Sequence, residues 1–200
     1  MESMPSLEKN SRKLNLGCGW HPKPGYINVD YTDVYPADVV HDLDKFPWPF
    51  SDNQFELVEM DHVLEHLNDI RGVVAELERI MAPGGLVIIR VPHFSRGFTH
   101  WDHKRGFDFT FMIYFDPRES GGFTGSRLEP VQTRLTWFAQ PHVKKEHLGK
   151  LTYALGKTAG AVLDFIGNLN LFFTSRILCY WVGGFDEIAF TLRKKGAAKT

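Results

Sequence analysis

"LNLGCGWHPKPGYINVD", residues 14–30, reads as a short strand, a glycine bend and a second strand that closes on an acid. Gly17 and Gly19 let the backbone turn sharply and approach a ligand with no Cβ in the way. In nucleotide-binding α/β units a helix normally joins two such strands. Here Pro22, Pro24 and Gly25 take its place, and two prolines that close together cannot sit inside a helix. Pro22 also stands where a GxGxxG fingerprint needs its third glycine, so no nicotinamide cofactor is expected.

Outward from this stretch, strands and crossovers alternate. Asp38–His41 (DVVH) and Phe55–Met60 (FELVEM) read as the third and fourth strands. The clearest helix follows. Asn68 or Asp69 caps it, and Ile70, Val73, Val74, Leu77, Ile80 and Met81 recur at spacings of three and four. Pro83-Gly84-Gly85 ends it, and GLVIIRV (85–91) reads as a buried parallel strand, apolar throughout except for Arg90. Val131–Phe138 and Phe185–Leu192 are the last strands. The pattern predicts an α/β fold: a doubly wound Rossmann-like sheet, mostly parallel, with an antiparallel C-terminal edge hairpin. Residues 1–11 read as a flexible leader and 12–200 as one domain, with a substrate-side loop over 93–127 and a helical insertion over 143–183.

Composition narrows the function. Lysine plus arginine (23) nearly balances aspartate plus glutamate (24), so no bulk field draws nucleic acid to the chain. Two cysteines, Cys18 and Cys179, are too few and too far apart for a disulfide framework, which points to a cytoplasmic protein. The first residues, MESMPSLEKNSRK, hold no apolar signal segment, and Asp164, Asn168, Asn170 and Arg176 interrupt the apolar run from Ala159 to Phe185. No transmembrane segment is expected. The aromatic stretch 163–185 reads as core, with a greasy surface for a lipid-linked substrate or a partner chain as the alternative.

LNLGCG, NVD, HDLDKFPWPFSDNQFELV, HVLEHL and ELERIMAPGGLVIIRVPH, taken as a set, resemble the successive motifs of class I S-adenosylmethionine-dependent methyltransferases. The resemblance runs from Leu14 to His93. It is nearest to a compact subgroup in which a PG loop leads straight from the glycine bend to the NVD strand, a subgroup often linked to surface-polysaccharide or sugar modification. It implies S-adenosylmethionine as cofactor. Gly17, Cys18 and Gly19 would lie at its amino-acid end, Asp30 at the ribose, Asp42 and Leu43 at the adenine, and Asp61–His62 near the sulfonium. Without a helix after the bend no helix dipole helps to hold the cofactor carboxylate, and one sheet face loses its cover. The apolar segment 151–181 is expected to fill that gap.

Two histidine-rich stretches remain. His62-Val-Leu-Glu65-His66 satisfies H-x-x-E-H, a pattern of inverted zinc peptidases, and on a helix its histidines would share a face. A third ligand is not singled out by the sequence, and the methyltransferase motif explains the same letters, so no metal is expected. PHFSRGFTHWDHKRGFDF begins where the fifth strand ends, the usual ligand side of an open α/β sheet. His100, Trp101, His103 and Arg105 are its candidate acceptor-binding residues. A hydroxyl acceptor would need a base, and His62 and His93, at the ends of the fourth and fifth strands, are the candidates. The expected function is methyl transfer to a small, sugar-like hydroxylated acceptor. The alternatives are a non-catalytic cofactor-binding protein of the same fold and a zinc hydrolase.

Overall fold

A computed structural model describes residues 12–97, 99–119 and 125–196, so the leader 1–11 and part of the 93–127 loop lie outside the described residues. Seven strands form one sheet in the order β3-β2-β1-β4-β5-β7-β6: β1 Lys13–Leu16, β2 Ile27–Asp30, β3 Val39–Val40, β4 Phe55–Asp61, β5 Met81–Pro92, β6 Leu128–Thr136 and β7 Glu187–Lys194. β1 to β5 pair in parallel, and β7 runs antiparallel to both of its neighbours, β5 and β6. The late antiparallel pair is thus present, with β7 inserted inside the sheet and β6 forming the edge.

Helix α1, Ile70–Ile80, starts where the Asp69 side chain accepts a hydrogen bond from the Gly72 amide (2.9 Å). It ends one residue earlier than its apolar period suggests. Met81 is already extended and pairs with Phe55, so β5 runs through Pro83-Gly84-Gly85, with Gly84 at φ +82°. Val73, Leu77 and Ile80 of α1 share one core with Leu14, Leu16, Val58, Met60, Val87 and Ile89, all fully buried. The proline loop after β3 is fastened to the same helix: Trp48 donates its amide to Glu76 (2.7 Å) and its indole N–H to the Leu43 carbonyl (3.1 Å).

The other sheet face is different. Burial alternates along β5, with Val87, Ile89 and Val91 fully buried but Leu86, Ile88 and Arg90 only half-buried. The reading of β5 as buried on both sides is therefore corrected. The ten residues between β1 and β2 contain no helix, so no apolar layer covers that face. Polar groups occupy it instead. Asn15 bonds Asn28 (3.0 Å), and Asn28 in turn holds the Lys23 amide (2.7 Å) and Asp38 (2.7 Å). Lys23 reaches across to Glu59 (3.0 Å) and Asp61 (2.8 Å), and Arg90 meets Asp61 from the other side (2.6 Å). Burial alone would raise both carboxyls, but Lys23 and Arg90 hold them below the usual carboxylate range.

The helical insertion does not fill that gap. The helix Lys150–Gly167 lays its small side inward: Gly156 and Gly160 face Phe138, and Gly167 faces Phe185. Asp164 accepts from the Trp137 amide (2.6 Å), and Asn168 bonds both the N–H and the C=O of Leu135 on β6 (2.8 Å each). The segment therefore docks along the β6 edge. Its large apolar residues point outward, so the reading of 163–185 as core is corrected: Phe165, Leu169, Phe172, Tyr180 and Trp181 are exposed, while Thr174, Ser175, Cys179 and Phe185 are buried. Among the described residues no helix is long and apolar enough to cross a membrane.

Candidate active site

The carboxyl ends of β1, β2, β3 and β4 bring the candidate residues to one side of the sheet. Gly17 and Gly19 both have positive φ (+69° and +49°), so the bend after β1 depends on glycine. A Cβ on Gly17 would lie 2.1 Å from Val63 Cγ2, which puts the bend against the turn after β4. A Cβ on Gly19 would meet nothing within 4 Å, because that residue faces open space. The Gly19 amide donates to Asp30 Oδ2 (2.8 Å) and the Tyr31 amide to Asp30 Oδ1 (2.9 Å). Each oxygen keeps a lone pair, so the carboxylate is fixed yet still able to accept from a diol. Cys18 ties the bend to β2 through its amide and the Val29 carbonyl (2.9 Å). Burial and the Asp30 charge push its thiol up to about 11, which leaves it a packing residue without thiolate character.

Asp42 follows β3 and accepts from the Asp44 amide (3.1 Å), while Leu43 is buried beneath it. The groups at this end of the sheet that could hold an adenosyl moiety are the open space at Gly19, the oriented Asp30 carboxylate and the polar loop at Asp42. Asp61 is less available, since both of its oxygens are engaged by Lys23 and Arg90. Exposed Trp20 and Tyr31 stand at the same mouth, with Tyr35 edge-on to each at 5.1 and 6.5 Å. Sequence reading passed over these aromatics, although Trp20 and Tyr31 directly follow Gly19 and Asp30.

The two candidate bases differ sharply. His62 sits at the end of β4 with φ +55°; its Nε2 lies 3.0 Å from Glu187 on β7 and 2.9 Å from the Gln140 amide. Burial would lower its pKa, but the hydrogen bond to Glu187 and the nearby carboxylates of Glu187 and Glu65 push it up to about 9. His93 is fully buried between Ser95 (2.7 Å) and Ser175 (3.2 Å), and burial draws it down to about 4. Glu187 and Gln140 come from distant segments, and no local pattern marks them.

The remaining candidates scatter. His103 is folded in against Glu65 and His66, with Nδ1 on the Gly97 carbonyl (2.6 Å), and the His100 ring stacks on it at 4.7 Å. Trp101 is 93% exposed. Arg105 bonds the Asn68 carbonyl (3.2 Å) and lines a separate cavity of about 780 Å³ between α1 and Phe107, Phe111 and Tyr114, which neither Gly17 nor Asp30 borders.

Comparison with known proteins agrees with this geometry. Residues 14–89 match the family model described as "Methyltransferase domain". An uncharacterized methyltransferase of Schizosaccharomyces pombe is 29% identical; the match covers 40% of this chain and 40% of that protein, so the chain spans well under two thirds of its relative's length. Among solved structures, a SAM-dependent methyltransferase from Archaeoglobus fulgidus superposes with a TM-score of 0.57 at 14% identity, covering 93% of this chain and 87% of that one. A second, from Mesorhizobium loti, gives 0.54 at 13% identity, with 92% and 90% covered. These superpositions show the fold, and the match over 14–89 covers the strands that carry the glycine bend and Asp30. Residues 14–89 are thus similar in sequence to a methyltransferase domain, and the chain shares its fold with these SAM-dependent methyltransferases.

Proposed function

We propose that this chain transfers the methyl group of S-adenosylmethionine to a hydroxyl of a small, sugar-like acceptor, acting as one domain over residues 12–200. The observation that carries the reading is the convergence of the Gly17–Gly19 bend, Asp30 and Asp42 on adjacent strand ends, with His62 beside them. The cofactor, when bound, supplies a methyl group already activated on a sulfonium, so the protein's task is chiefly to position the acceptor.

Asp30, aimed by the Gly19 and Tyr31 amides, takes the ribose hydroxyls. Asp42 and Leu43 bound the adenine, and Gly17, Cys18 and Gly19 leave room for the amino-acid end. Asp61, pinned by Lys23 and Arg90, anchors the floor. His62, raised to about 9 and so protonated at neutral pH, accepts the proton of the acceptor hydroxyl only in its neutral form, so turnover by this route rises with pH toward 9, and the flanking Glu187 holds the ring. His93, bonded at both nitrogens, acts as a positioning residue where the 93–127 segment leaves β5. Of the candidates in that segment, exposed Trp101 offers a face for a sugar ring.

The loop that replaces the first helix supports placement in the compact PG-loop subgroup. The outward apolar face of 151–181 favours an acceptor carried on a lipid over a free sugar. Calorimetry with S-adenosylmethionine, on the wild type and Asp30→Ala, tests the site, and release of S-adenosylhomocysteine with free and polyprenyl-linked saccharides tests the reaction. Binding that survives Asp30→Ala would overturn the site. Binding without turnover on any hydroxylated acceptor would make the chain a cofactor-binding protein instead.

A further inference from the structure

Glu65 poses a problem that the methyl-transfer reading leaves unsolved. Its side chain is fully buried, and neither carboxylate oxygen has a hydrogen-bond partner among the described residues. Native structures rarely leave a buried polar group unpaired, and a bare carboxylate least of all. Three imidazole nitrogens surround Oε1 at distances too long for good hydrogen bonds: His62 Nδ1 at 3.5 Å, His66 Nε2 at 3.9 Å and His103 Nε2 at 3.9 Å. One atom each from Glu65, His66 and His103 lies within 4.8 Å of the others, a gap of the size that a small cation spans.

The groups behind the rings fit the same conclusion. His103 turns its Nδ1 to the Gly97 carbonyl (2.6 Å), which as acceptor fixes the proton there and leaves the Nε2 lone pair directed at Glu65. His66 places its Nδ1 3.1 Å from Asp102, without the alignment of a hydrogen bond, and turns its Nε2 toward Glu65. A carboxylate or carbonyl behind each imidazole is the arrangement that orients metal-bound histidines. The His100 ring, stacked on His103 and edge-on to His66 at 6.1 Å, borders the open side.

We propose that Glu65, His66 and His103 bind a divalent transition-metal ion, with a fourth position open toward His100. One carboxylate and two imidazoles, with no thiolate near, suit Zn²⁺ and its neighbours better than Ca²⁺ or Mg²⁺. The H-x-x-E-H pattern contributes, but not through its two histidines. Residues 64–66 form a single 3-10 turn, and His62 has a left-handed backbone, so His62 turns to Glu187 while Glu65 and His66 point together. The third ligand arrives from the loop after β5, whose Lys104 amide bonds the Glu65 carbonyl (2.9 Å). The ion thus ties that loop to the turn beside His62. The site stands independently of the methyl-transfer reading.

The test uses untagged protein stripped by a chelator and titrated with Zn²⁺ against a chromophoric competitor. One ion per chain is expected, with a rise in melting temperature on binding. His103→Ala should weaken binding roughly 100-fold or more, and Asp102→Asn about 10-fold, as loss of an orienting group does. His21→Ala, which removes the unrelated His21–His142 ring pair, should leave affinity unchanged. Absence of stoichiometric binding to the folded, stripped protein would overturn the proposal. So would a His103→Ala variant that binds as tightly as the wild type, or a His21→Ala variant that loses the ion.

Discussion

Acid should unfold this protein through His93. The ring is fully buried, its nitrogens meet the Ser95 and Ser175 hydroxyls and the Ser95 amide with no carboxylate among the described residues bonded to them, and its pKa is drawn from 6.5 to about 4. In the unfolded chain the same ring takes a proton near pH 6.5. A lowered folded value means that stability is intact above pH 6.5 and is lost as the pH falls toward 4, because only the unfolded state binds the proton in that window. At about 1.4 kcal/mol per unit, the whole gap is worth about 3 kcal/mol, and about 2 kcal/mol of it is spent by pH 5. Urea unfolding at pH 7.5 and pH 5.0, followed by tryptophan fluorescence, measures the loss. Other groups titrate too, so the diagnostic quantity is the difference from His93→Gln, which is less stable at pH 7.5 but has lost this term. Its decline between the two pH values should be smaller than the wild type's by about 2 kcal/mol. Equal declines would refute the reasoning.

Other consequences can be checked with simple variants. Gly17→Ala should lower stability by about 2 kcal/mol or more in denaturant melts, since φ +69° and a Cβ 2.1 Å from Val63 oppose it together. Gly19→Ala meets no neighbour and carries only the strain of φ +49°, about 1 kcal/mol, so calorimetry should show a greater loss of cofactor affinity than of stability. Gly160→Val, directed at Phe138 Cβ only 2.7 Å from a built Cβ, should cost about 1–3 kcal/mol, whereas Val162→Lys on the outward side of the same helix should stay within about 0.5 kcal/mol in thermal melts. Lys23→Ala leaves Asp61 to Arg90 alone and should cost about 1 kcal/mol, an effect that shrinks in high salt.

Much of the fold was legible because the early strands announce themselves locally. The glycine bend, the acid closing β2 and the three-four period of α1 each depend on neighbours in sequence. The lost layer was half legible. Pro22 and Pro24 ruled out a helix, but they did not show that Asn15, Asn28 and Lys23 would finish the face with polar groups. The insertion misled for a physical reason. An apolar stripe names a face of a helix without saying which way it turns, and here glycines, which carry no hydropathy signal, mark the inward side. In the site, Asp30 and the glycines were readable from strand order, whereas Glu187 and Gln140 reach His62 across long separations that no motif records. Glu65 was visible only as part of a motif borrowed from another chemistry.

The outward stripe running from Leu151 to Trp181 also governs how the molecule must be handled. An uncovered greasy surface of this kind adsorbs to vessel walls, recruits further copies as concentration rises and responds to trace surfactant. Apparent rates should therefore drift with dilution, and a mild nonionic detergent below its micelle threshold should steady them.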